Sequence, residues 1–225
     1  MRKIKFINGE IYHVYNRGVD KRNIFSDNED FNRFIKSILE FRGIEPIGSL
    51  YEKARKDEKQ KSNDDNLLVE FVAYCINPNH FHFILRQLND EGIQKFMHKL
   101  STGYTMYFNE KENRSGPLFG GKYKAKEINE NDYLLNLSAY VNLNDTIHQI
   151  DSFGGSASKF VSSSWNQYSQ SNYQPKNNFD IPCETKSVLE QFDSVNDYKK
   201  FAEETAKIMR EKKIDERNDG LFSDE

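Results

Sequence analysis

The chain has 225 residues, of which 36% are hydrophobic and 30% charged, and its mean hydropathy is −0.84. This length supports one hydrophobic core with appendages, and the sequence has no apolar run of about 18 residues that could cross a bilayer. The formal net charge of −3 excludes a nucleic-acid site that depends on overall basicity, so any such site must be a local patch.

The N-terminus lacks the hydrophobic region of a signal peptide, and we therefore expect a cytoplasmic protein without membrane association. The two cysteines, Cys75 and Cys183, are far apart and form neither a CxxC nor a Cys/His spacing. This pattern predicts neither a disulfide framework nor a zinc knuckle.

The first predicted elements are a strand and a helix. Residues 11–15 are β-branched or aromatic and predict strand one, which ends at the turn signal around Gly18. Ser26 precedes Glu29 by three residues, the spacing of a helix capping box, and apolar residues at helical spacing follow until Gly43. We therefore predict a first helix between Ser26 and Gly43.

A charged segment and a hairpin follow. Residues 52–66 are nearly all charged or polar, which predicts an exposed insertion. Residues 67–76 and 80–85 predict strands two and three, and the turn residues at 77–79 join them as a hairpin.

The next elements are a helix, a strand and another helix. Apolar residues within 93–107 share one helical face, with capping candidates at 89–90. Residues 122–128 alternate and predict strand four, and Asn131 is the predicted cap of a third helix over 132–144.

The predicted order βαββαβ, followed by a helix, indicates an α+β fold of the ferredoxin-like split βαβ type. Its antiparallel sheet has strands one and three at the centre and its helices on one face. We predict a catalytic domain over 1–150, a polar and loosely structured extension over 151–182, and a helical C-terminal tail over 183–225.

The most informative short motif is His80-Phe81-His82. Because side chains alternate along a strand, both imidazoles point to one face while Phe81 enters the core on the other. Imidazole binds divalent transition metals, whereas Mg²⁺ prefers oxygen, so a metal site here would need an oxygen ligand as well. Two histidines that merely decorate a sheet remain the alternative.

Tyr140 and Asn144 are four residues apart on the predicted third helix, so they share one face. A tyrosine nucleophile and an amide ligand could thus meet one metal. Spacing alone also fits a tyrosine that packs on the sheet and an asparagine that caps the helix.

Four blocks together resemble the single-tyrosine HUH transposases, namely the REP-associated tyrosine transposases and their short insertion-sequence relatives, over about residues 8 to 168. The blocks are Tyr12-His13-Val14-Tyr15-Asn16-Arg17-Gly18, Asn77-Pro78-Asn79-His80-Phe81-His82, Gly116-Pro117-Leu118-Phe119 with Lys122-Tyr123-Lys124, and Tyr140-Val141-Asn142-Leu143-Asn144. The chain departs from these relatives at Asp145, where they usually have proline, and at 162–165, where Ser-Ser-Ser-Trp replaces their Trp-Ser-Ser block.

The resemblance implies a metal-dependent DNA transposase. His80, His82 and Asn144 would hold Mg²⁺ or Mn²⁺, and Tyr140 would be the nucleophile that nicks and rejoins single-stranded DNA through a 5′-phosphotyrosine. The partner would be single-stranded DNA that carries an inverted-repeat hairpin. Relatives differ on whether the tyrosine acts in its own subunit or in a partner's, so a monomer and a homodimer both stay open.

Basic and aromatic residues near strand four are predicted to contact DNA, because cations bind phosphates and rings stack on bases. The predicted contacts are Lys122, Lys124, Lys126, Arg114, Tyr123, Phe119 and, more weakly, Arg17. Lysines on an edge strand also protect against aggregation, which is the alternative interpretation.

Two other functions remain open at this stage. One is a non-catalytic nucleic-acid-binding regulator on the same fold. The other is an HUH replication initiator or relaxase, although such proteins usually have longer chains or extra domains.

Overall fold

The computed structural model describes residues 4–44, 66–148, 160–175 and 180–218, and the predicted charged insertion at 52–66 lies almost wholly outside them. Its centre is an antiparallel sheet in the order β4-β1-β3-β2-β5. Strands one and three are therefore central and strand four is an edge, as the ferredoxin-like prediction requires.

The strands have nearly the predicted bounds. They are β1 (Ile11–Arg17), β2 (Val69–Asn77), β3 (His80–Gln87), β4 (Lys124–Ile128) and the two-residue β5 (Ser162–Ser163). In the register, His82 lies between Tyr15 of β1 and Cys75 of β2, and His80 lies between Arg17 and Asn77. The short strand β5 was not predicted, and it pairs with β2 at the other edge.

Two long helices cover one face of the sheet. They are α1 (Asn28–Phe41) and α2 (Gly92–Lys111), which pack on each other. Phe81 and Phe83 of β3 enter the core on this side, together with Phe34 of α1 and Phe96 of α2. The prediction that Phe81 points into the core is confirmed.

The opposite face is covered by helices from the second half of the chain. They are α3 (Asn131–Asn142), α4 (Asn144–His148), α5 (Trp165–Ser169), α6 (Lys186–Leu189) and α7 (Val195–Asn218). A second core forms here between Cys75 and Ile84 of the sheet, Val141 of α3, and Tyr198 and Ala202 of α7. We call this side of the sheet the catalytic face, because the two candidate ligand histidines lie on it.

The predicted helix caps were wrong at each N-terminus. The cap of α1 is Asp27, whose carboxylate accepts from the backbone N–H of Asp30 at 3.0 Å, and not Ser26. The residue before α2 is Glu91, at a positive φ of 58°, because Asn89 donates its amide to the Leu67 carbonyl instead of capping. Helix α3 starts after Glu130, without a side-chain cap, and Asn131 is already helical.

The true cap of α1 can be tested by substitution. We expect Asp27→Ala to lower the free energy of unfolding by about 1 kcal/mol, since an unsatisfied N–H at a helix start costs about that much. Ser26→Ala is the matched control and should change it by less than about 0.5 kcal/mol. Urea denaturation followed by circular dichroism measures both, and equal effects would refute the assignment of Asp27.

Two further features follow from the described residues. Cys75 and Cys183 are both free thiols. None of the helices in the described ranges is sufficiently long and apolar to cross a membrane.

Candidate active site

The site forms on the catalytic face where β1, β2 and β3 lie side by side. The register brings Arg17 and Asn77 to the two sides of His80, and Tyr15 and Cys75 to the two sides of His82. The rings of His80 and His82 are 5.2 Å apart at their centroids and nearly perpendicular. The prediction that both imidazoles share one face is confirmed.

His80 presents its Nε2 nitrogen to the site. Asn79 donates its Nδ2 to the Lys21 carbonyl at 3.0 Å, which turns its Oδ1 toward His80, and Nδ1 of His80 lies 2.6 Å from that oxygen. Burial lowers the pKa of His80 to about 4, so the ring is neutral at pH 7 and carries its only proton on Nδ1. The Nε2 lone pair is therefore presented to a partner, as a metal ligand requires.

Asn144 meets His80 at this lone pair. Its Oδ1 lies 3.2 Å from Nε2 of His80, and the buried Asn77 donates to both acceptors, at 2.7 Å and 2.9 Å. Two acceptors this close repel each other unless a donor or a cation lies between them. Asn77 supplies one such donor, and the arrangement would accommodate a metal ion as well.

His82 is oriented by a second histidine. Its Nδ1 lies 3.0 Å from Nε2 of His13, with the two rings stacked, so Nε2 is the nitrogen left for a metal. Burial lowers the pKa of His13 to about 4 and holds that of His82 well below its ordinary range. His13 is therefore a partner that orients a ligand.

The donor set fits a divalent metal. In the described parts of the chain no group of three or more His, Cys, Asp or Glu side chains has the arrangement of a metal site, so a third protein ligand from these parts would be of another type. The oxygen of Asn144 is such a ligand, and its own Nδ2 is buried with no hydrogen-bond partner among the described residues. Two neutral imidazoles and one amide oxygen suit Mn²⁺ and are compatible with Mg²⁺.

Tyr140 lies beside these groups. Its ring packs edge-on against His82, with centroids 5.5 Å apart, and its hydroxyl lies 3.5 Å from Nε2 of His148. The tyrosine is half-buried, so its ring is held by packing while part of the side chain remains accessible. Tyr140 and the three candidate ligands thus converge, as predicted.

The route by which Asn144 reaches the site differs from the prediction. Helix α3 ends at Asn142, because Leu143 leaves the helical region at φ −115° and ψ 23°, and Asn144 begins the separate helix α4. The buried Leu143 and the bond from Asn77 to Asn144 turn the chain toward the sheet at this point. The prediction of one continuous helix over 132–144 was therefore wrong.

Sequence reasoning missed three residues of the site. The motifs gave His148 no role, yet its ring lies 5.8 Å from that of His80. Its spacing of four from Asn144, like that of Asn144 from Tyr140, was the available signal. Asn77 and Tyr15 lie in the motif blocks, but no spacing assigned them a role, because their roles depend on pairing across strands.

The predicted DNA contacts separate into two groups. Lys124 and Lys126 are exposed on the catalytic face, with ammonium groups 5.7 Å from the Tyr15 ring centre and 4.2 Å from that of Tyr133. Arg17 lies on the same face, as the cross-strand neighbour of His80. These three residues stay predicted contacts, and Lys122 is an exposed residue just before β4.

The other predicted contacts lie away from the catalytic face. Tyr123 packs against the α1/α2 core, and Phe119 is buried in that core, 5% exposed and 5.9 Å from Phe81. Arg114 donates to Asn109 and to the Pro117 carbonyl, which holds its loop together. We therefore withdraw Phe119 as a stacking residue, because a buried ring has no face for a base.

The lowered pKa of His13 predicts a loss of stability in mild acid. The unfolded side chain titrates near 6.5 and the folded one at about 4, so between these values the unfolded chain binds a proton that the folded chain excludes. The free energy of unfolding should therefore fall as the pH decreases through this range. His13→Gln should reduce that fall by about 1–2 kcal/mol at about pH 5.

Urea denaturation in EDTA, at neutral pH and about pH 5, measures this effect. His98→Gln is the matched control, because His98 is an exposed histidine on α2. An unchanged dependence in His13→Gln would mean that His13 is charged in the folded protein.

A family model matches the segment that carries most of the motifs. Residues 52–144 match the family model described as "Transposase IS200 like". One solved structure, described as a REP-associated tyrosine transposase bound to a REP hairpin, aligns with a TM-score of 0.46 at 11% identity, over 82% of this chain and 92% of that one. No curated protein matches. The segment that matches this family model, residues 52–144, carries His80, His82, Tyr140 and Asn144.

Proposed function

We propose that this protein is a metal-dependent transposase that nicks and rejoins single-stranded DNA at hairpin-flanked sites through a 5′-phosphotyrosine. The observation that carries the proposal is the convergence of Tyr140 with His80, His82 and Asn144 on one face of the sheet. The family match over 52–144 supports the general class of reaction.

Three residues would hold the metal. Nε2 of His80, Nε2 of His82 and Oδ1 of Asn144 are the ligands, and a bound Mg²⁺ or Mn²⁺ would supply Lewis-acid stabilisation of charge on the scissile phosphate. Asn79 and His13 orient the ligand histidines. Asn79 hydrogen-bonds to Nδ1 of His80 and His13 to Nδ1 of His82, which leaves each Nε2 for the metal. The low pKa of both histidines keeps them neutral, so protons do not compete for the site at neutral pH.

Tyr140 performs the covalent step. Its oxygen attacks the scissile phosphorus, the bond from phosphorus to the 3′-oxygen breaks, and a tyrosine–phosphorus ester forms. The phenolic proton is lost and the departing 3′-oxygen takes one up from solvent. The tyrosine–phosphate ester conserves the free energy of the phosphodiester bond that was broken. A 3′-hydroxyl can therefore attack the ester in the reverse reaction, and rejoining requires no ATP.

The catalytic face would also bind the substrate. Lys124, Lys126 and Arg17 are cations on the same face as the ligands, which gives a path for the phosphates of a single strand. The half-buried ring of Tyr15 lies between Lys124 and His82, so a base could stack near the reacting phosphate.

The proposal is tested by the polarity of a covalent adduct. Hairpin oligonucleotides made from inverted repeats that flank the gene are labelled at either the 5′ or the 3′ end and incubated with the protein and Mn²⁺. The 3′-labelled fragment should stay with the protein on a denaturing gel, and the 5′-labelled fragment should be released. EDTA should abolish the adduct.

Other outcomes would contradict this mechanism. An adduct that carries the 5′-labelled fragment would mean a 3′-phosphotyrosine. Stable hairpin binding without an adduct, together with no uptake of Mn²⁺ by calorimetry, would instead favour the non-catalytic regulator.

A further inference from the structure

The C-terminal helix α7 places a lysine beside the tyrosine nucleophile. Its buried stripe runs through Tyr198, Ala202, Ala206 and Met209, which follow each other at intervals of three or four residues. Lys213 continues this stripe one turn later and is half-buried. Lys213 therefore lies on the side of α7 that packs against the second core, which is the side that faces the catalytic face.

The other end of α7 is fixed to the tyrosine helix by buried hydrogen bonds. The hydroxyl of Tyr198 lies 3.1 Å from Oγ of Ser138 and accepts from Nδ2 of Asn142 at 2.8 Å. Both partners belong to α3 and lie two residues before and after Tyr140. Lys213 is about 22 Å along the helix from this anchor, at 1.5 Å per residue. The packing of α7 on α3 therefore fixes the position of Lys213 relative to Tyr140.

The ammonium of Lys213 lies close to the reacting groups. Its Nζ is 2.8 Å from Nε2 of His148, and the Tyr140 hydroxyl is 3.5 Å from that same nitrogen. Its charge is also among the smaller causes that lower the pKa values of His80 and His82. A cation therefore lies beside both the nucleophile and the candidate ligands.

We propose that Lys213 binds a non-bridging oxygen of the scissile phosphodiester, so that the C-terminal helix contributes a substrate-binding residue to the active site. This inference rests on the proposed function. An ammonium has three N–H donors, so Lys213 can donate to a phosphate oxygen as well as to His148. Nε2 of His148 lies 2.8 Å from Nζ of Lys213 and 3.5 Å from the Tyr140 hydroxyl, so a phosphate that Tyr140 attacks would also lie near Lys213.

A cation at this position would add to the charge stabilisation that the metal supplies. During attack by Tyr140, negative charge spreads over the equatorial oxygens of the phosphoryl group, and a fixed positive charge stabilises it. A neutral imidazole cannot supply that charge, and the lysines of β4 lie on the edge strand, two strands away from β3. Lys213 would therefore both hold the DNA and speed the covalent step.

The first test measures binding without metal. In EDTA, the affinity for a single-stranded oligonucleotide that spans the scissile site is measured by fluorescence anisotropy for the wild type and for Lys213→Met. We expect about tenfold weaker binding in Lys213→Met and a salt slope smaller by about 0.7. Lys212→Met, an exposed neighbour on the same helix, is the matched control and should match the wild type.

A methylphosphonate at the scissile linkage removes the anionic oxygen and separates this contact from general effects. With this oligonucleotide the wild type and Lys213→Met should bind equally. Lys213→Arg, which keeps the cation, should restore binding of the normal oligonucleotide to within about threefold of the wild type. If Lys213→Met weakened binding by the same factor for both oligonucleotides, Lys213 would have only a structural role and the proposal would be wrong.

The second test measures the covalent step at saturating DNA and Mn²⁺. Lys213→Met should slow adduct formation by about a hundredfold, the effect of removing one donor to a developing charge. Faster adduct formation in Lys213→Met would show that the helix obstructs the site and would overturn the proposal. No adduct with the wild type would refute the proposed function itself, whereas a normal adduct rate in Lys213→Met would refute only the role of Lys213.

Discussion

Replacing Tyr140 with phenylalanine is expected to abolish covalent attachment to DNA while the protein stays folded. The substitution removes the attacking oxygen and keeps the ring that packs edge-on against His82. Loss of a nucleophile lowers a rate by at least about 10⁴-fold in well-studied enzymes, so no adduct should be visible on a denaturing gel. Binding of the hairpin oligonucleotide should change by less than about threefold, because the hydroxyl is a small part of the interface.

Tyr133→Phe is the matched control for this experiment. Tyr133 lies on the same helix α3 and contacts Lys126, but its position is not beside the candidate ligands. Its adduct should equal that of the wild type. If Tyr140→Phe kept the adduct and Tyr133→Phe lost it, the nucleophile would have been assigned to the wrong tyrosine.

Replacing His80 with alanine should abolish both metal uptake and cleavage and spare most of the DNA binding. The substitution removes the lone pair that faces Oδ1 of Asn144 at 3.2 Å, and the two remaining donors hold a divalent ion weakly. Calorimetric titration with Mn²⁺ should show no saturable binding, and the adduct assay should show no product. Anisotropy in EDTA should give an affinity within about threefold of the wild type, since phosphate contacts supply most of it.

His98→Ala is the control for this prediction, because His98 is an exposed histidine on α2. It should retain metal uptake and cleavage. A milder variant, Asn79→Ala, leaves His80 in place but removes the oxygen that fixes its Nδ1 proton. It should weaken metal binding by about tenfold to a hundredfold, and full metal affinity in His80→Ala would exclude His80 as a ligand.

The sequence by itself determined the parts of this protein that depend on local geometry. The alternation of His80, Phe81 and His82 on a strand is a property of any extended chain, so the two imidazoles could be placed on one face without knowing the fold. The order of strands and helices followed from the periods of the apolar residues, and that order restricted the sheet to the ferredoxin-like arrangement. The family motifs then related Tyr140 and Asn144 to the histidines.

The tertiary structure decided the contacts between distant parts of the chain. His13 orients His82 from 69 residues away, and Lys213 reaches His148 from 65 residues away. Such pairs depend on which strands adjoin and on how α7 packs against α3, and no local spacing encodes either. The predicted cap Asn89 failed for a related reason, because its side chain donates to the carbonyl of Leu67 instead of capping its own helix.

The candidate site therefore has two origins. Its ligands and nucleophile lie in short motifs, where residue type and spacing carry the chemistry. The groups that orient them, His13, Asn77 and Asn79, and the cation of the C-terminal helix become neighbours only because packing on the catalytic face buries them together. Burial is a property of the whole fold, and it is also what lowers the pKa values of the histidines and keeps them neutral.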